Sequence, residues 1–269
     1  MSENAAEESF APQTLDLFRE LIRKESGIFI TPQKDYLLVN KLARLVKKSG
    51  VSSLENLYRQ IQNGDHQALE NLLNAMTTNH TFFFREKNHL SILRKDIQIK
   101  GLRRPLIWVA ASSTGEEVYS IIIELLEGGV TDFLIVASDI NREVLVKMKR
   151  GVYPVQRFGE VNEGLIQKYF TRDPEGKTGY YQVKDFLKSY VMAKQLNLLD
   201  RFRFEAPFDY IFCRNVLIYF DKPTQKRVID NLLRNLSDLG YLFIGHSESL
   251  MNVTDRVESV FTSVYNKKL

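Results

Sequence analysis

A group of small and polar residues that could bind a ligand follows the apolar run that begins just after residue 105. Val109 is followed by Ala110–Gly115, sequence AASSTG, and then by the acids Glu116 and Glu117. Small residues at a turn between a strand and a helix allow a ligand to approach the backbone closely. The turn lacks the three glycines of a dinucleotide-binding loop and the Gly-Lys-Ser/Thr of a phosphate loop. It therefore disfavours a pyrophosphate and leaves open an adenosine ligand without phosphates, or a turn that is tight only for packing.

Asp139 ends the next apolar run, 24 residues after Gly115. An acid about 20 residues beyond such a turn commonly accepts hydrogen bonds from ribose hydroxyls. Aspartate is also a good N-cap for a following helix. Because the cap position and the ribose position adjoin, the sequence leaves both uses open.

Arg214 and Asn215 interrupt a later apolar run where a strand should end. A polar pair buried without hydrogen bonds is costly, so we predict that these two side chains face a ligand. Tyr219, four residues beyond Asn215, fits either a site residue or a core aromatic with its hydroxyl at the surface.

Three consecutive phenylalanines, 82–84, follow hydrogen-bonding residues at 77–81 and precede Arg85. We predict that the phenylalanines are core residues. Arg85 beside them would be a fixed cation at a domain junction, suited to holding a carboxylate. Judged alone, a salt bridge without a function is the commoner meaning of an arginine.

A basic stripe occurs in the first part of the chain, and it consists of Lys41, Arg44, Lys47 and Lys48. Spacings of three and four residues place these side chains on one face of a helix. The stripe contrasts with its surroundings, because residues 1–80 hold 9 basic against 10 acidic residues. It is either a solvated face or a partner-binding surface. A negatively charged protein is a better partner than DNA, because four cations give only a shallow salt-dependent affinity.

Composition excludes several classes of protein. The 269 residues are 44% hydrophobic and 26% charged with a net charge of +4, typical of a globular protein and too mild for a nucleic-acid wrapper. One cysteine, Cys213, permits neither an internal disulfide nor a cysteine-based zinc site. The histidines show no metal-ligand spacing, so no metal is predicted. We expect a cytoplasmic protein, because no apolar run reaches the roughly 18–20 residues of a membrane helix and no basic, secretory start is present.

The elements that must position these residues change in kind along the chain. Apolar residues at helical spacing predict a small all-α domain at 11–76, in which Gly50 ends the second helix and Ile28–Ile30 is the one strand-like run. From residue 105, short apolar runs alternate with helices of about 10–15 residues, which predicts an α/β domain with a doubly wound, mostly parallel sheet. The predicted organisation is a disordered N-terminus (1–10), the helical domain (11–76), a linker that contributes to the site (77–88) and an α/β domain (89–269).

Two antiparallel additions to the parallel sheet are predicted. A small β insertion at about 165–195 is indicated by paired runs at Tyr180–Val183 and Tyr190–Ala193, around two glycines. An edge hairpin is indicated at Val257–Tyr265.

Six segments, taken together and in order, carry a resemblance. They are TTN at 77–79 with FFRE at 83–86, STGEE at 113–117 with YS at 119–120, ASDI at 137–140, NLL at 197–199, FCRNV at 212–216 with IYFD at 218–221, and GHSE at 245–248. Through them the chain resembles the CheR-type chemoreceptor glutamate methyltransferases, which use S-adenosylmethionine, from about Leu15 to Tyr265.

The resemblance implies a Rossmann-like methyltransferase domain with a small β-subdomain, preceded by an all-α domain. It implies a protein-glutamate O-methyltransferase without a metal, which leaves S-adenosylhomocysteine as a product. The residues that would surround the cofactor are Asn79, Thr81, Arg85, Glu116, Asp139, Asn197, Leu198, Arg214 and Asn215. Arg85 and Tyr219 would lie near the transferred methyl group and the substrate carboxylate.

The implied partner is the cytoplasmic domain of a methyl-accepting chemoreceptor. The basic stripe would dock on its acidic coiled coil, and in some family members the β-subdomain holds a receptor C-terminal tail peptide. We expect a monomer that neither inserts into a membrane nor binds nucleic acid.

The sequence departs from the family pattern at a few positions. Ala111 and Ser112 stand where many members have Gly-Cys, and Val118 stands where many have proline. Small residues remain at the close-approach positions, so we expect cofactor binding. Lysines occupy three stripe positions where arginines are common, which bears on the geometry of docking.

The same residues allow two other functions. A non-catalytic module that binds an adenosyl ligand and docks on a receptor array is the alternative, although intact Arg85, Asn215 and Tyr219 favour the enzyme. A nicotinamide-dependent oxidoreductase is disfavoured by the missing glycines.

Overall fold

A computed structural model describes residues 10–172, 176 and 178–268, and the chain divides into two compact units. The helical unit contains the described residues up to Thr78 together with Tyr219–Asp221, and the α/β unit contains Asn79–Ile218 and the residues from Lys222 onward. Of the segment predicted to be disordered, residues 1–9 lie outside the described residues. Phe10 packs against the core of the helical unit, so the prediction of disorder is wrong for that residue.

The helical unit is built from amphipathic helices with identifiable ends. Its helices are α1 (Pro12–Ser26), α2 (Asp35–Ser49), α3 (Leu54–Gln62) and α4 (His66–Met76). The Ser53 and Asp65 side chains cap α3 and α4 by accepting from backbone N–H groups. Gly50 ends α2 with a left-handed φ of 69°, which confirms the predicted C-cap. The all-α prediction for this region is confirmed.

The one strand-like run of the helical region, Ile28–Ile30, forms no strand. Ile28 makes a single antiparallel bridge with Phe220, and Phe29 N–H donates to the Tyr219 carbonyl at 2.8 Å. The bridge places Tyr219–Asp221 in the helical unit, although these residues come late in the chain.

The α/β unit alternates strands with helices, as predicted. Its helices are α5 (Lys87–Lys100), α6 (Glu116–Glu127), α7 (Arg142–Arg150), α8 (Glu163–Tyr169), α9 (Asp185–Lys188) and α10 (Lys222–Asn235). Its strands are β1 (Leu106–Ala110), β2 (Leu134–Asp139), β3 (Val152–Pro154), β4 (Phe170–Arg172), β5 (Tyr180–Val183), β6 (Val191–Gln195), β7 (Phe208–Phe212), β8 (Leu236–Phe243), β9 (Val257–Phe261) and β10 (Val264–Lys267).

Within the described residues, the main sheet has seven strands in the order β6-β2-β1-β7-β8-β10-β9. The first five are parallel to one another, and β10 and β9 form the predicted antiparallel edge hairpin. The chain leaves β1 toward β2 and β6 and returns to its other side at β7. This reversal of strand order confirms the predicted doubly wound, mostly parallel sheet, and ligands bind at such a point.

A separate three-stranded sheet has the order β3-β5-β4 and is antiparallel. The small antiparallel sheet was predicted, but its composition was partly wrong. The run at Tyr190–Ala193 does not pair with Tyr180–Val183; it contributes to β6, which pairs in parallel with β2 at the edge of the main sheet. The third strand of the small sheet is instead β3, which precedes the predicted insertion.

Both faces of the main sheet are covered. Ile107 and Val109 are fully buried in a core shared with α5 and α6. Trp108 alternates to the opposite face, where its ring contacts those of Phe202 and Phe204. Within the described residues, no helix combines the length and the apolar character that crossing a bilayer requires.

Candidate cofactor-binding site

The carboxyl ends of the parallel strands gather the predicted site residues at one edge of the main sheet. The loops at this edge are Ala111–Gly115 after β1, Asp139 at the end of β2, Asn197–Leu198 after β6, and Arg214–Asn215 after β7. These segments are far apart in the sequence. Parallel pairing through β6, β2, β1 and β7 is what aligns their ends.

The loops at this edge adopt a backbone conformation that few residues tolerate. Ala111, Ser113 and Asn215 have φ of 58°, 50° and 56°, in the left-handed region. Each such non-glycine residue costs about 1–3 kcal/mol and persists only where its surroundings fix it. Gly115, with φ of 92°, also lacks room for a side chain, because a Cβ there would lie 2.2 Å from Met148 Cγ.

Asp139 ties two of these loops together. Its Oδ2 accepts from Ser113 N–H and its Oδ1 from Asn141 N–H, both at 2.9 Å. The side chain is buried, and burial raises the pKa of its carboxyl. Of the two uses that the sequence left open, the helix cap is wrong, because Asn141 caps α7 by accepting from Val144 N–H.

Glu248 performs a similar task on the next loop, and the sequence analysis missed it. Its carboxylate accepts from the N–H groups of Gly245 at 2.6 Å, Asn215 at 2.8 Å and Ile218 at 3.3 Å. A Cβ at Gly245 would lie 2.3 Å from Asn215 Nδ2, so only glycine fits beside this loop. Gly245 and Glu248 are the glycine and the acid of the GHSE segment at 245–248, which is the sequence signal for this role.

Arg214 is buried and engaged by protein partners rather than exposed toward a ligand. Its guanidinium pairs with Glu86 at 2.7 Å and with Glu117, and it donates to the Arg85 carbonyl at 3.0 Å. Burial alone would raise the pKa of Glu86, but the Arg214 charge lowers it. The guanidinium is therefore held by protein groups, and a contact between Arg214 and a ligand stays a prediction. Asn215 Nδ2 has a 3.4 Å hydrogen bond to Glu86.

The segment 79–86 is held against the same edge. Asn79 Oδ1 accepts from Ser113 Oγ at 3.4 Å, and Phe84 N–H donates to Ser120 Oγ at 2.8 Å. Phe83 and Phe84 are buried, as predicted. Phe82 is 38% exposed and lies under the Arg85 guanidinium at 5.7 Å, so its prediction as a core residue is wrong.

The Arg85 guanidinium is only partly engaged by protein groups. Its Nη1 donates to the His80 carbonyl at 3.0 Å, and its Nε lies 4.0 Å from Glu86. The side chain is about one quarter exposed, at 26%. The guanidinium therefore keeps donors for a carboxylate.

Glu116 begins α6 and is 1% exposed. Thr114 Oγ1 donates to it at 2.6 Å, and Arg157 Nε lies 3.6 Å from Oε1. Burial raises the pKa of this carboxyl. Nearby in the same turn, Ser112 Oγ is buried with no hydrogen-bond partner among the described residues, which marks a polar group available to a ligand.

Two further groups near this edge, the Cys213 thiol and the His89 imidazole, are buried. The Cys213 thiol is completely buried, and burial raises its pKa well above the usual value, so it is not a nucleophile. His89 Nε2 contacts the Thr262 carbonyl at 3.2 Å, and burial lowers the pKa of His89 to about 4, so its ring is neutral at pH 7.

Glu86, His89 and His246 form a cluster that sequence spacing did not predict. Their ligating atoms lie within 4.8 Å of one another, close enough to share a metal ion. However, Arg214 already donates to the Glu86 carboxylate, and a guanidinium beside a metal ion is electrostatically unfavourable. We therefore interpret the cluster as the ion pair of Glu86 with Arg214, flanked by two imidazoles.

The basic stripe lies on α2, but its members differ in their surroundings. Arg44, Lys47 and Lys48 are exposed. Lys41 is half-buried, and its Nζ donates to the Met76 carbonyl at 2.7 Å and to the Thr77 carbonyl at 3.3 Å. Lys41 thus satisfies carbonyls at the C-terminus of α4. It is less accessible to a partner than the other three cations, and its part in partner binding stays a prediction.

The donor set at the sheet edge suits an adenosyl amino acid. A buried carboxylate at the end of β2 fits ribose hydroxyls, a second at Glu116 fits an ammonium group, and Ser112 offers an unpartnered hydroxyl. The left-handed turns let the backbone approach a ligand. These residues fit such a cofactor.

Comparison with known proteins gives a consistent result. Residues 79–266 match the family described as "CheR methyltransferase, SAM binding domain", and residues 13–77 match "CheR methyltransferase, all-alpha domain". "Chemotaxis protein methyltransferase 2" of Pseudomonas aeruginosa is 38% identical over 257 residues, covering 92% of this chain and 90% of that protein. "Chemotaxis protein methyltransferase" of Salmonella typhimurium is 36% identical over 240 residues, covering 87% and 83%.

Proposed function

The chain belongs to the CheR methyltransferase family, and we propose that it methylates glutamate side-chain carboxylates of a chemoreceptor. It is an S-adenosylmethionine-dependent methyltransferase, since the matched SAM-binding domain covers residues 79–266. The proposed products are a γ-glutamyl methyl ester, which would serve sensory adaptation, and S-adenosylhomocysteine.

The observation that carries the proposal is the pair of buried carboxylates, Asp139 and Glu116, beside turns of small residues at the carboxyl edge of the sheet. Asp139 would hold the ribose hydroxyls and Glu116 the ammonium group of the cofactor's amino-acid part. The other residues proposed to surround the cofactor are Asn79, Thr81, Arg85, Asn197, Leu198, Arg214 and Asn215. For Arg214, whose guanidinium is engaged by Glu86 and Glu117, the proposed contribution is to fix the Asn215 loop.

The acceptor needs no general base. S-adenosylmethionine, when bound, supplies a methyl group on a positively charged sulfur. A glutamate carboxylate has a reference pKa of about 4.3 and is ionised at neutral pH, so no proton has to be removed before it attacks. This agrees with a neutral, hydrogen-bonded His89 and a buried Cys213 thiol at this edge. The protein's contribution is then positioning of the two groups and exclusion of water.

Arg85 would orient the acceptor carboxylate, because its guanidinium is partly exposed and keeps donors in a planar fork. Strong pairing would also lower the reactivity of that carboxylate, so Arg85 acts in orientation and not in proton transfer. Tyr219 has the same proposed role. Replacing Tyr219 with phenylalanine should lower kcat while leaving the affinity for S-adenosylhomocysteine unchanged.

Partner binding is proposed for the exposed cations of α2, which are Arg44, Lys47 and Lys48. They would meet an acidic coiled coil in the receptor's cytoplasmic domain, so the enzyme would act in the cytoplasm. The three-stranded sheet is proposed to hold a receptor tail peptide, since its outer strands β3 and β4 each pair on one side only among the described residues.

Transfer of a labelled methyl group to receptor-bearing membranes tests the proposal. We expect label on the receptor that mild base releases, as a methyl ester requires, and a strongly reduced signal with the Asp139→Ala variant. Binding of S-adenosylhomocysteine without any base-labile label would overturn the proposal and favour a non-catalytic binding module.

A further inference from the structure

Two side chains from β3 and the turn that follows it contact the segments proposed to bind the cofactor. Tyr153 lies on β3, and its buried hydroxyl donates to the Thr114 carbonyl at 2.6 Å. Arg157 ends the short helical turn that follows β3. Its guanidinium donates to the Thr81 carbonyl, and its Nε lies 3.6 Å from Glu116 Oε1. One segment of the small sheet therefore touches both the turn after β1 and the segment 79–86.

Backbone and ring contacts fix this arrangement. Phe83 N–H donates to the Arg157 carbonyl at 2.9 Å. The Phe83 ring stacks on Phe158 with centroids 4.7 Å apart and meets the edges of Tyr153 at 5.0 Å and Phe170 at 5.2 Å. Segment 81–83 is thus anchored in the aromatic cluster of the small sheet, so Arg157 cannot move away from Thr81 without disturbing this packing.

Glu116 depends on this arrangement electrostatically. It is 1% exposed, and a buried carboxylate is stable only when it is paired or hydrogen-bonded. Thr114 Oγ1 supplies one hydrogen bond. Among the described residues, the charged and titratable groups that interact with the Glu116 carboxyl are Arg157 and the Tyr153 hydroxyl. Arg157 is the cation of this set, and it lowers the pKa of Glu116 against the effect of burial.

We propose that Arg157 is a positioning residue of the cofactor site, which holds the Thr81 carbonyl and the Glu116 carboxylate in one arrangement competent to bind the cofactor's amino-acid part. The inference rests on the proposed placement of Thr81 and Glu116 at the cofactor. It gives the small sheet a role in building the methyl-donor site, in addition to any role in holding the receptor.

Titration calorimetry with S-adenosylhomocysteine tests the proposal without a receptor. Arg157→Gln should weaken binding about tenfold at neutral pH, the size expected for one charge-assisted interaction. The loss should grow as the pH is lowered from about 8 to 5.5, because Glu116 without its cation takes up a proton at a higher pH. Arg157→Lys should restore part of the affinity and the flatter pH profile. Arg227→Gln, an exposed arginine on α10, is the matched control and should bind as the wild type does.

A merely structural role for Arg157 predicts a different result. It predicts a loss of affinity that is the same at every pH and is not restored by lysine, and either that result or wild-type affinity would overturn the proposal. Thermal unfolding of each variant shows whether it is folded. If Arg157→Gln is misfolded, the pH dependence of S-adenosylhomocysteine affinity in Arg157→Lys tests the proposal.

Glu116→Gln separates this inference from the assignment of the site. If Glu116→Gln binds S-adenosylhomocysteine normally, the placement of Glu116 at the cofactor is wrong. If Glu116→Gln is impaired, Arg157→Gln should add little in the double variant, because its effect acts through that carboxylate. Additive losses would contradict the inference and leave the proposed function intact.

Discussion

Arg214 and Lys47 carry the same charge in opposite surroundings. Arg214 is 6% exposed and pairs with Glu86 and Glu117, whereas Lys47 lies exposed near the end of α2. A buried charge costs several kcal/mol in desolvation and stays buried only when partners compensate it. An exposed charge remains hydrated and available to another molecule. The difference fits the proposal that the buried cation stabilises the site and that the exposed cations bind the receptor. Substitutions at the two kinds of position should then have different effects.

Removal of the buried cation should have the largest effect on stability. Arg214→Met removes the buried cation that pairs with the largely buried carboxylates of Glu86 and Glu117, and we expect the free energy of unfolding to fall by about 3–5 kcal/mol. Urea denaturation measures this. The control is Arg142→Met, an exposed arginine on α7, which should change stability by less than about 0.5 kcal/mol. Similar losses in both variants would contradict a structural role for Arg214.

The buried imidazole next to this ion pair should make stability depend on pH. Burial lowers the pKa of His89 from 6.5 to about 4, so between these values the unfolded chain binds a proton that the folded chain does not. The contribution is fully present above pH 6.5 and declines as the pH falls toward 4, by about 2–3 kcal/mol. His89→Gln should flatten this part of the stability profile. An unchanged slope in that variant would assign the dependence to other groups.

The buried acid Asp139 should affect the affinity for the cofactor more than the stability of the fold. Asp139→Ala removes the acceptor of the Ser113 and Asn141 N–H groups and the proposed ribose contact. We expect the dissociation constant for S-adenosylhomocysteine to rise about 10- to 100-fold, the equivalent of about 1.5–3 kcal/mol. Asp132→Ala, an exposed acid just before β2, is the control. Wild-type affinity in Asp139→Ala would limit Asp139 to holding the loops.

The exposed cations of α2 should affect the binding of the receptor and not the binding of the cofactor. Replacing Arg44 and Lys47 with alanine should raise KM for the receptor about tenfold, leave cofactor affinity unchanged and weaken the dependence of KM on salt. Lys41→Met is the informative comparison, because Lys41 binds the end of α4. It should cost about 1 kcal/mol of stability and change KM less. Loss of cofactor binding in the Arg44 and Lys47 variant would show that α2 has a structural role.

Much of the fold could be predicted, because the signals are local. Apolar periodicity predicted the helical unit, short apolar runs predicted β1, β2 and β7, and a glycine predicted the end of α2. Which strands pair with one another was harder to predict. β5 and β6 are similar short apolar runs, and only tertiary packing decides that β5 joins β3 and β4 while β6 joins β2.

The site was predictable in its residue types more than in its contacts. Asp139 and Glu116 lie at the predicted edge because parallel strands align their ends. The partners of Arg214 could not be predicted, because Glu117 and Glu86 are 97 and 128 residues away in the sequence. Lys41 and Lys47 look equivalent on a helix face, and only the position of α4 distinguishes them.

Mass spectrometry of receptor peptides after reaction with deuterium-labelled S-adenosylmethionine tests the central claim most directly. The claim predicts a labelled methyl group on glutamate side chains, released by mild base, at a level that falls in the Asp139→Ala variant and, at limiting receptor, in the Arg44 and Lys47 variant. Label on a different residue type, or no label on the receptor when the cofactor is bound, would contradict it.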